Sequence, residues 1–178
     1  MKNKYLKNIK ITRITRLDNK LIIRILSLRN QIEVRKNMIN REIIRLKDHI
    51  NWMKKILSIK NEYIYTIIIK QKVQGVLRIT KTSKNKVEWA FYLDKSCQKI
   101  YGSFIEYLAI RKMFNLKNII YINCRVFDFN LSVISLHQKF GFKKIGLEKI
   151  NKDNLISFML SKKNWTKKIL AIKAKLRV

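Results

Sequence analysis

The chain has 178 residues, 41 Lys and Arg against 11 Asp and Glu, and a formal net charge of +30. Its length favours one domain with a real core, and its 47% hydrophobic content excludes a disordered chain. There is no run of about eighteen apolar residues, so no spanning helix is expected. The basic stretch 1–16 lacks the apolar segment of a signal peptide. Cys97 and Cys124 have neither the spacing nor the partners of a metal site, so no metal is expected; free thiols suit the cytoplasm. The charge has two readings. One is a polyanionic partner, either nucleic acid or a phosphorylated ligand. The other is a compositional bias toward Lys, Ile and Asn with no Pro, because the basic residues are spread along the chain rather than gathered into an arm.

In chain order, Ile9, Ile11 and Ile14 with polar residues between them predict a first strand over about residues 8–16. Leu21, Ile22, Ile25 and Leu28 make a helical face that Arg29 and Asn30 close, and a polar connection follows to Ile39. Asn40 is a plausible N-cap for a second helix with Ile43, Leu46, Ile50, Met53 and Leu57 as its buried stripe. Residues 62–70, 73–80 and 86–93 are β-branched and aromatic runs separated by short turns, hence a three-strand meander. Residues 101–114 are amphipathic, with Phe104, Ile105, Leu108, Ala109 and Met113 inward. Residues 118–127 form a strand. The stretch 130–141 is a short helix that opens at Asn130 and stops at Gly141, the residue type suited to a left-handed helix end. Asn130 and His137 are two turns apart on one side of it. Residues 142–150 and 155–160 alternate around Asp153–Asn154 and predict a hairpin. The expected domain is 1–165. The tail 166–178 is basic and helical in pattern, with Trp165, Ile169, Ile172 and Leu176 on one side of the segment that begins at Lys162.

This order predicts an α/β (α+β) fold: a mixed, mostly antiparallel sheet of six to seven strands with helices on both faces. It is also the order of the GNAT acyl-CoA N-acetyltransferases. The residues that carry the resemblance lie in N-x-x-A/V-x-x-x-Y-x-K-x-GF, the second motif of that family. Asn130, Val133, Lys139, Gly141 and Phe142 match it, and His137 stands where many members have Tyr. The stretch resembles in particular the branch that acetylates amino sugars on nucleotide diphosphates.

The resemblance implies acetyl-CoA as co-substrate. A helix N-terminus suits its pyrophosphate, because free N–H groups and the helix dipole both favour anions. The family loop Q/R-x-x-G-x-G/A corresponds here to Cys97-Gln98-Lys99-Ile100-Tyr101-Gly102-Ser103. Gly102 takes the last glycine position, Ile100 stands at the earlier one, and Gln98 and Lys99 supply a donor and a charge. The meander strands nearest the cofactor are expected to splay apart, with Phe91, Tyr92 and Leu93 offering backbone groups to the carbonyl and pantetheine. Asn130 is placed as a pantetheine contact or helix cap. His137 is implied as general acid toward the CoA thiolate, in place of the family Tyr, and Glu88 is the leading side chain for the base. On the acceptor side Arg29 and Asn30, with His49 and Trp52 one turn apart, look like substrate residues for a diphosphate and a base or sugar ring.

The expected activity is acetyl transfer to a primary amine, most specifically the 4-amino group of a UDP-linked amino-deoxy sugar, an anionic small molecule. The same fold allows a protein N-terminal or ribosomal-protein acetyltransferase. A different class, a non-enzymatic basic nucleic-acid-binding protein, predicts Lys and Arg on one face with stacking aromatics. Monomer and homodimer are both compatible with the sequence.

Overall fold

A computed structural model describes residues 4–178. The elements are α1 (Lys4–Lys7), β1 (Ile9–Arg13), α2 (Asn19–Asn30), α3 (Ile32–Arg35), α4 (Leu46–Ser58), β2 (Glu62–Ile69), β3 (Lys72–Lys81), β4 (Lys86–Leu93), α5 (Lys95–Phe114), β5 (Tyr121–Phe127), α6 (Leu131–Phe140), β6 (Lys143–Ile150), β7 (Asp153–Ser161) and α7 (Lys162–Leu176). The seven strands form one sheet in the order β1-β2-β3-β4-β5-β7-β6. Every neighbouring pair is antiparallel except β4 and β5, which α5 joins as a parallel crossover. The predicted mixed sheet with helices on both faces is therefore the observed architecture.

The period-2 strands sort their side chains onto two cores. Tyr65, Ile67, Leu77, Ile79, Val87 and Trp89 face α5 and α6 in the larger one, which continues to Trp165 and Ile172 on α7. Ile64 and Val76 point the other way and meet Ile25 of α2 and Met53 and Ile56 of α4. The tail is thus a helix docked by its apolar stripe, with Ile169 and Leu176 also packed on the larger core. Among the described residues no helix is long and apolar enough to cross a membrane.

Several boundaries differ from the sequence expectation. The polar connection after α2 contains the short helix α3, and a turn of helix precedes β1. Asn40 does not cap α4. Its side chain accepts from the Glu42 N–H in a local turn, while α4 starts six residues later without a side-chain cap. The buried stripe of α4 is consequently His49, Met53 and Ile56, and Ile43 and Leu46 are exposed. The hairpin turns at Asn151–Lys152, where Asn151 takes φ 55, rather than at Asp153–Asn154. Gly141 ends α6 in the left-handed conformation expected of it, with φ 97.

One glycine is required by close approach. A Cβ on Gly75 would meet the Tyr92 carbonyl oxygen and lie 2.6 Å from the Leu93 side chain, in the strand pair that carries the free edge of β4. Gly75→Ala is expected to destabilise the fold by about 1–3 kcal/mol through overpacking, measured as a lowered urea midpoint at unchanged slope.

Candidate active site

Strand β4 pairs with β5 at three positions only: Lys86 with Tyr121, Val87 with Ile122 and Glu88 with Asn123. Beyond Glu88, β4 stays in register with β3 through Leu93, and beyond Asn123, β5 stays in register with β7 through Phe127. The sheet therefore opens between them. Gln98 donates to the Leu93 carbonyl and the Asn130 N–H donates to that of Phe127, and the backbone groups between these ends that would have faced each other need water or a ligand instead. The opening lies one strand further along than the sequence reading placed it. Strands β3 and β4, expected to splay, are paired from Gly75–Leu93 to Lys81–Val87. On β4 the backbone groups of Tyr92 turn to β3, while those of Phe91 and the Leu93 N–H face the open edge toward β5.

On the side of the sheet covered by α5 and α6, the apex of the opening is filled by a polar pair. Trp89 and Cys124 are the first residues past the last paired position, and the His137 ring lies against both. His137 Nδ1 is 2.6 Å from Glu106 Oε1, and the two residues are 3% and 0% exposed. Phe142 and Phe158 close the ring on its other sides. Burial alone pulls the His137 pKa down, but the Glu106 charge and the Cys124 thiol outweigh it and hold it up at about 10. Burial pushes the Cys124 thiol up. Glu106 Oε2 and the Trp89 indole nitrogen have no hydrogen-bond partner. Glu106, Cys124 and Trp89 were not singled out from the sequence. Glu106 was readable: it is a carboxylate, one of only 11 acidic residues, three before Ala109 and seven before Met113 on a buried helical face.

The expected phosphate loop is not a loop. Cys97, Gln98, Lys99, Ile100, Tyr101, Gly102 and Ser103 are all inside α5, which starts at Lys95 directly after β4. Without the earlier glycine, the segment keeps helical geometry, so Tyr101, Gly102 and Ser103 spend their N–H groups inside the helix. Tyr101 and Gly102 are buried, and Gln98 donates back to the Leu93 carbonyl. The helix end itself carries Asp94, whose carboxylate accepts from the Ser96 N–H and hydroxyl and from Gln31 Nε2. Burial pushes Asp94 up, but these bonds and nearby Arg24 outweigh it and keep the carboxyl below its usual range. The segment 97–103 therefore forms no glycine turn, and the N–H groups left free at this junction are those of the first turn of α5. Asn130 is the N-cap residue of α6 through its backbone carbonyl, but its side chain makes no capping bond; its Oδ1 accepts from the Ser132 hydroxyl.

The opposite face of the sheet carries the acceptor-side candidates. Glu88 is half-exposed at the last paired position, 3.0 Å from Arg125 Nε and opposite Asn123, whose buried Oδ1 has no partner. Arg29 donates through Nη2 to the Asn40 carbonyl, while Nη1 is buried and unpartnered. Burial lowers the Arg29 pKa most, opposed by Tyr92 and aided by Arg35. His49 is buried with Nε2 unpartnered, and burial followed by the Arg29 charge lowers its pKa, so the ring is neutral at pH 7. It stacks on the half-exposed Trp52 at 5.8 Å. Burial raises the Tyr92 phenol, which lies within the field of Arg29. Arg29, His49 and Trp52 are therefore brought together. Asn30 is not available: its amide bonds both the N–H and the C=O of Ile44 and fastens the 36–45 segment. That segment crosses toward β5, where Arg41 pairs with Asp153 and covers the Phe127 and Phe129 rings.

Residues 11–154 match the family model described as "Acetyltransferase (GNAT) domain". No curated protein sequence matches the chain. Among solved structures, N-acetyltransferase PseH of Campylobacter jejuni aligns with TM-score 0.67 and 18% identity over 87% of this chain and 99% of that one. Spermidine N-acetyltransferase of Vibrio cholerae, in complex with CoA and spermine, aligns with TM-score 0.79 and 14% identity over 90% and 99%. Aminoglycoside acetyltransferase AAC(6')-Ib, in complex with coenzyme A, aligns with TM-score 0.72 and 13% identity over 89% and 98%. At these identities the likeness shows the fold.

The Glu106–His137 pair makes stability fall with rising pH. Its folded imidazole pKa lies above the unfolded value of about 6.5, so the contribution is full below that pH and lost as pH climbs through about 10. Glu106→Ala, which leaves an uncompensated buried imidazole, is expected to cost about 3–5 kcal/mol at pH 6. The gap to wild type should shrink steadily toward pH 10, as read from urea unfolding at a series of pH values.

Proposed function

The chain belongs to the GNAT acetyltransferase family, and from that premise we propose that it transfers an acetyl group from acetyl-CoA to the amine of an anionic acceptor, the 4-amino group of a UDP-linked amino-deoxy sugar. The observation that carries the acceptor class is the pair of buried, unpartnered nitrogens on the acceptor face, the donor Arg29 Nη1 with His49 Nε2 near it, beside the half-exposed ring of Trp52. Unpaired buried polar groups are costly unless a ligand completes them. A guanidinium suits a diphosphate, and an indole face suits a base or sugar. The net charge of +30 supports the same reading, since it attracts anions and repels polycationic amines. The α6 motif adds its resemblance to the amino-sugar-nucleotide branch.

In this reading the free edge of β4 along Phe91–Leu93 receives the pantetheine amides, and the thioester reaches the point where pairing with β5 stops. Glu88, at that point on the acceptor face, takes the amine proton directly or through water. Arg29 and Trp52 hold the acceptor, and His49 completes their site. Lys99 and the first turn of α5 offer the only part of 97–103 that can meet phosphates, so affinity rests more on the pantetheine arm.

A thiol-release assay with acetyl-CoA across amino sugar nucleotides, peptides and polyamines tests this. Amino sugar nucleotides should be turned over best; preference for a polyamine or peptide would refute the acceptor class. Glu88→Gln is expected to lower kcat by about 100-fold or more with little change in KM. Arg29→Ala and Trp52→Ala should each raise the acceptor KM by about tenfold and leave that of acetyl-CoA unchanged.

A further inference from the structure

The pair at the apex of the split goes beyond the expected role of His137 and rests on the acetyl-transfer reading above. We propose that Glu106 is a positioning residue that holds His137 as an imidazolium, its Nδ1–H on the carboxylate and its other N–H, beside the Cys124 thiol, supplying the proton for the departing CoA thiolate. Three observations place it so. The ring lies against Trp89 and Cys124, the first residues beyond the last β4–β5 pairing. Glu106 Oε1 is 2.6 Å from Nδ1, which fixes the ring orientation and turns the second ring nitrogen to the Cys124 thiol at the apex of the split. Glu106 Oε2 has no partner, so this fully buried carboxylate is committed to the imidazole and nothing else in the described structure holds it.

The surroundings contain no competing charge. Glu106 from α5 and Cys124 from β5 are the titratable groups that face the ring, while β4, β7 and the segment after α6 present Trp89, Phe158 and Phe142. A phenol at this position would be a neutral acid needing no counter-charge. An imidazole buried alone would lose its proton, and with it any ability to protonate a thiolate. The carboxylate on α5 is what makes the His usable. In the step itself the amine nitrogen forms the new C–N bond, and the C–S bond breaks with its electron pair going to sulfur. The Nε2 proton passes to that sulfur, the proton shed by the amine leaves through Glu88 or water, and water reprotonates the imidazole.

The chain has only two His, so the His137 ring can be followed directly by NMR. In wild type it should stay protonated through pH 8 and titrate near 10, and in Glu106→Gln its titration should fall by about two units or more. The kcat for thiol release should be flat from about pH 7 to 9 in wild type and in Glu106→Asp. In Glu106→Gln it should drop above neutrality, with KM for acetyl-CoA within about threefold of wild type. An unmoved alkaline limb in a folded Glu106→Gln, or a wild-type His137 that deprotonates near the ordinary value of about 6.5, overturns the proposal. Should Glu106→Gln not fold, the wild-type titration and the Glu106→Asp profile decide between the same two results. A wild type that releases no thiol with any amine refutes acetyl transfer and the proton-donor role together. It is distinguishable because the NMR titration would still report the pair while no limb existed to compare.

Discussion

The structure depends on where two parallel strands stop hydrogen bonding. Strands β4 and β5 share only three paired positions, and then each follows its antiparallel partner, β3 or β7, away from the other. The antiparallel ladders are long and the parallel one is short, so the divergence is set by the outer pairings. It leaves two unpaired backbone edges inside a folded domain, where such groups are rarely left unsatisfied. Helices α5 and α6 cover one side of that opening, and α2, α4 and the 36–45 segment cover the other. A thioester and an amine can therefore approach the same point from opposite faces.

The two faces solve opposite electrostatic problems. Around His137 the environment is aromatic and buried, and a single carboxylate sets the charge state of the ring. On the acceptor face the excess is cationic. Glu88 is engaged by Arg125, Glu62 by Arg78, and Arg29 keeps one nitrogen in reserve. A chain so rich in Lys and Arg can use its few carboxylates only where they matter locally, and Glu62, Glu88 and Glu106 are all partnered across strands or between helices.

Besides His137 in place of Tyr, the chain departs from the family pattern at the start of α5. Helix α5 runs back to the end of β4 and absorbs the segment that aligns with the phosphate loop. Gly102 keeps its alignment, yet it is buried in the helix, where a Cβ would lie 4.0 Å from the Leu136 side chain, rather than at a turn. A sequence match at one glycine does not carry the conformation when the other glycine is Ile100, because a β-branched residue has no reason to leave the helix for a strained turn.

Periodicity and punctuation were enough to read strands at 62–70, 73–80 and 86–93, within a residue of those observed, the helix 131–140 with its stop at Gly141, and the apolar stripe of α7. All of these rest on interactions within a few residues of each other. The family followed from Asn130, Val133, Lys139, Gly141 and Phe142, and the one-turn spacing of His49 and Trp52 was legible within one helix, whereas their meeting with Arg29 joins two helices distant in sequence. Which pair of strands separates could not be read, because it depends on β7 inserting beside β5, a contact between distant segments. The engagement of Asn30 with Ile44, the start of α4 at Leu46, and the meeting of Glu106 with His137 across 31 positions are likewise long-range. The residues alone determined the elements and the family. Tertiary packing decided which side chains are buried opposite one another, and hence which groups hold charge at the centre of the molecule.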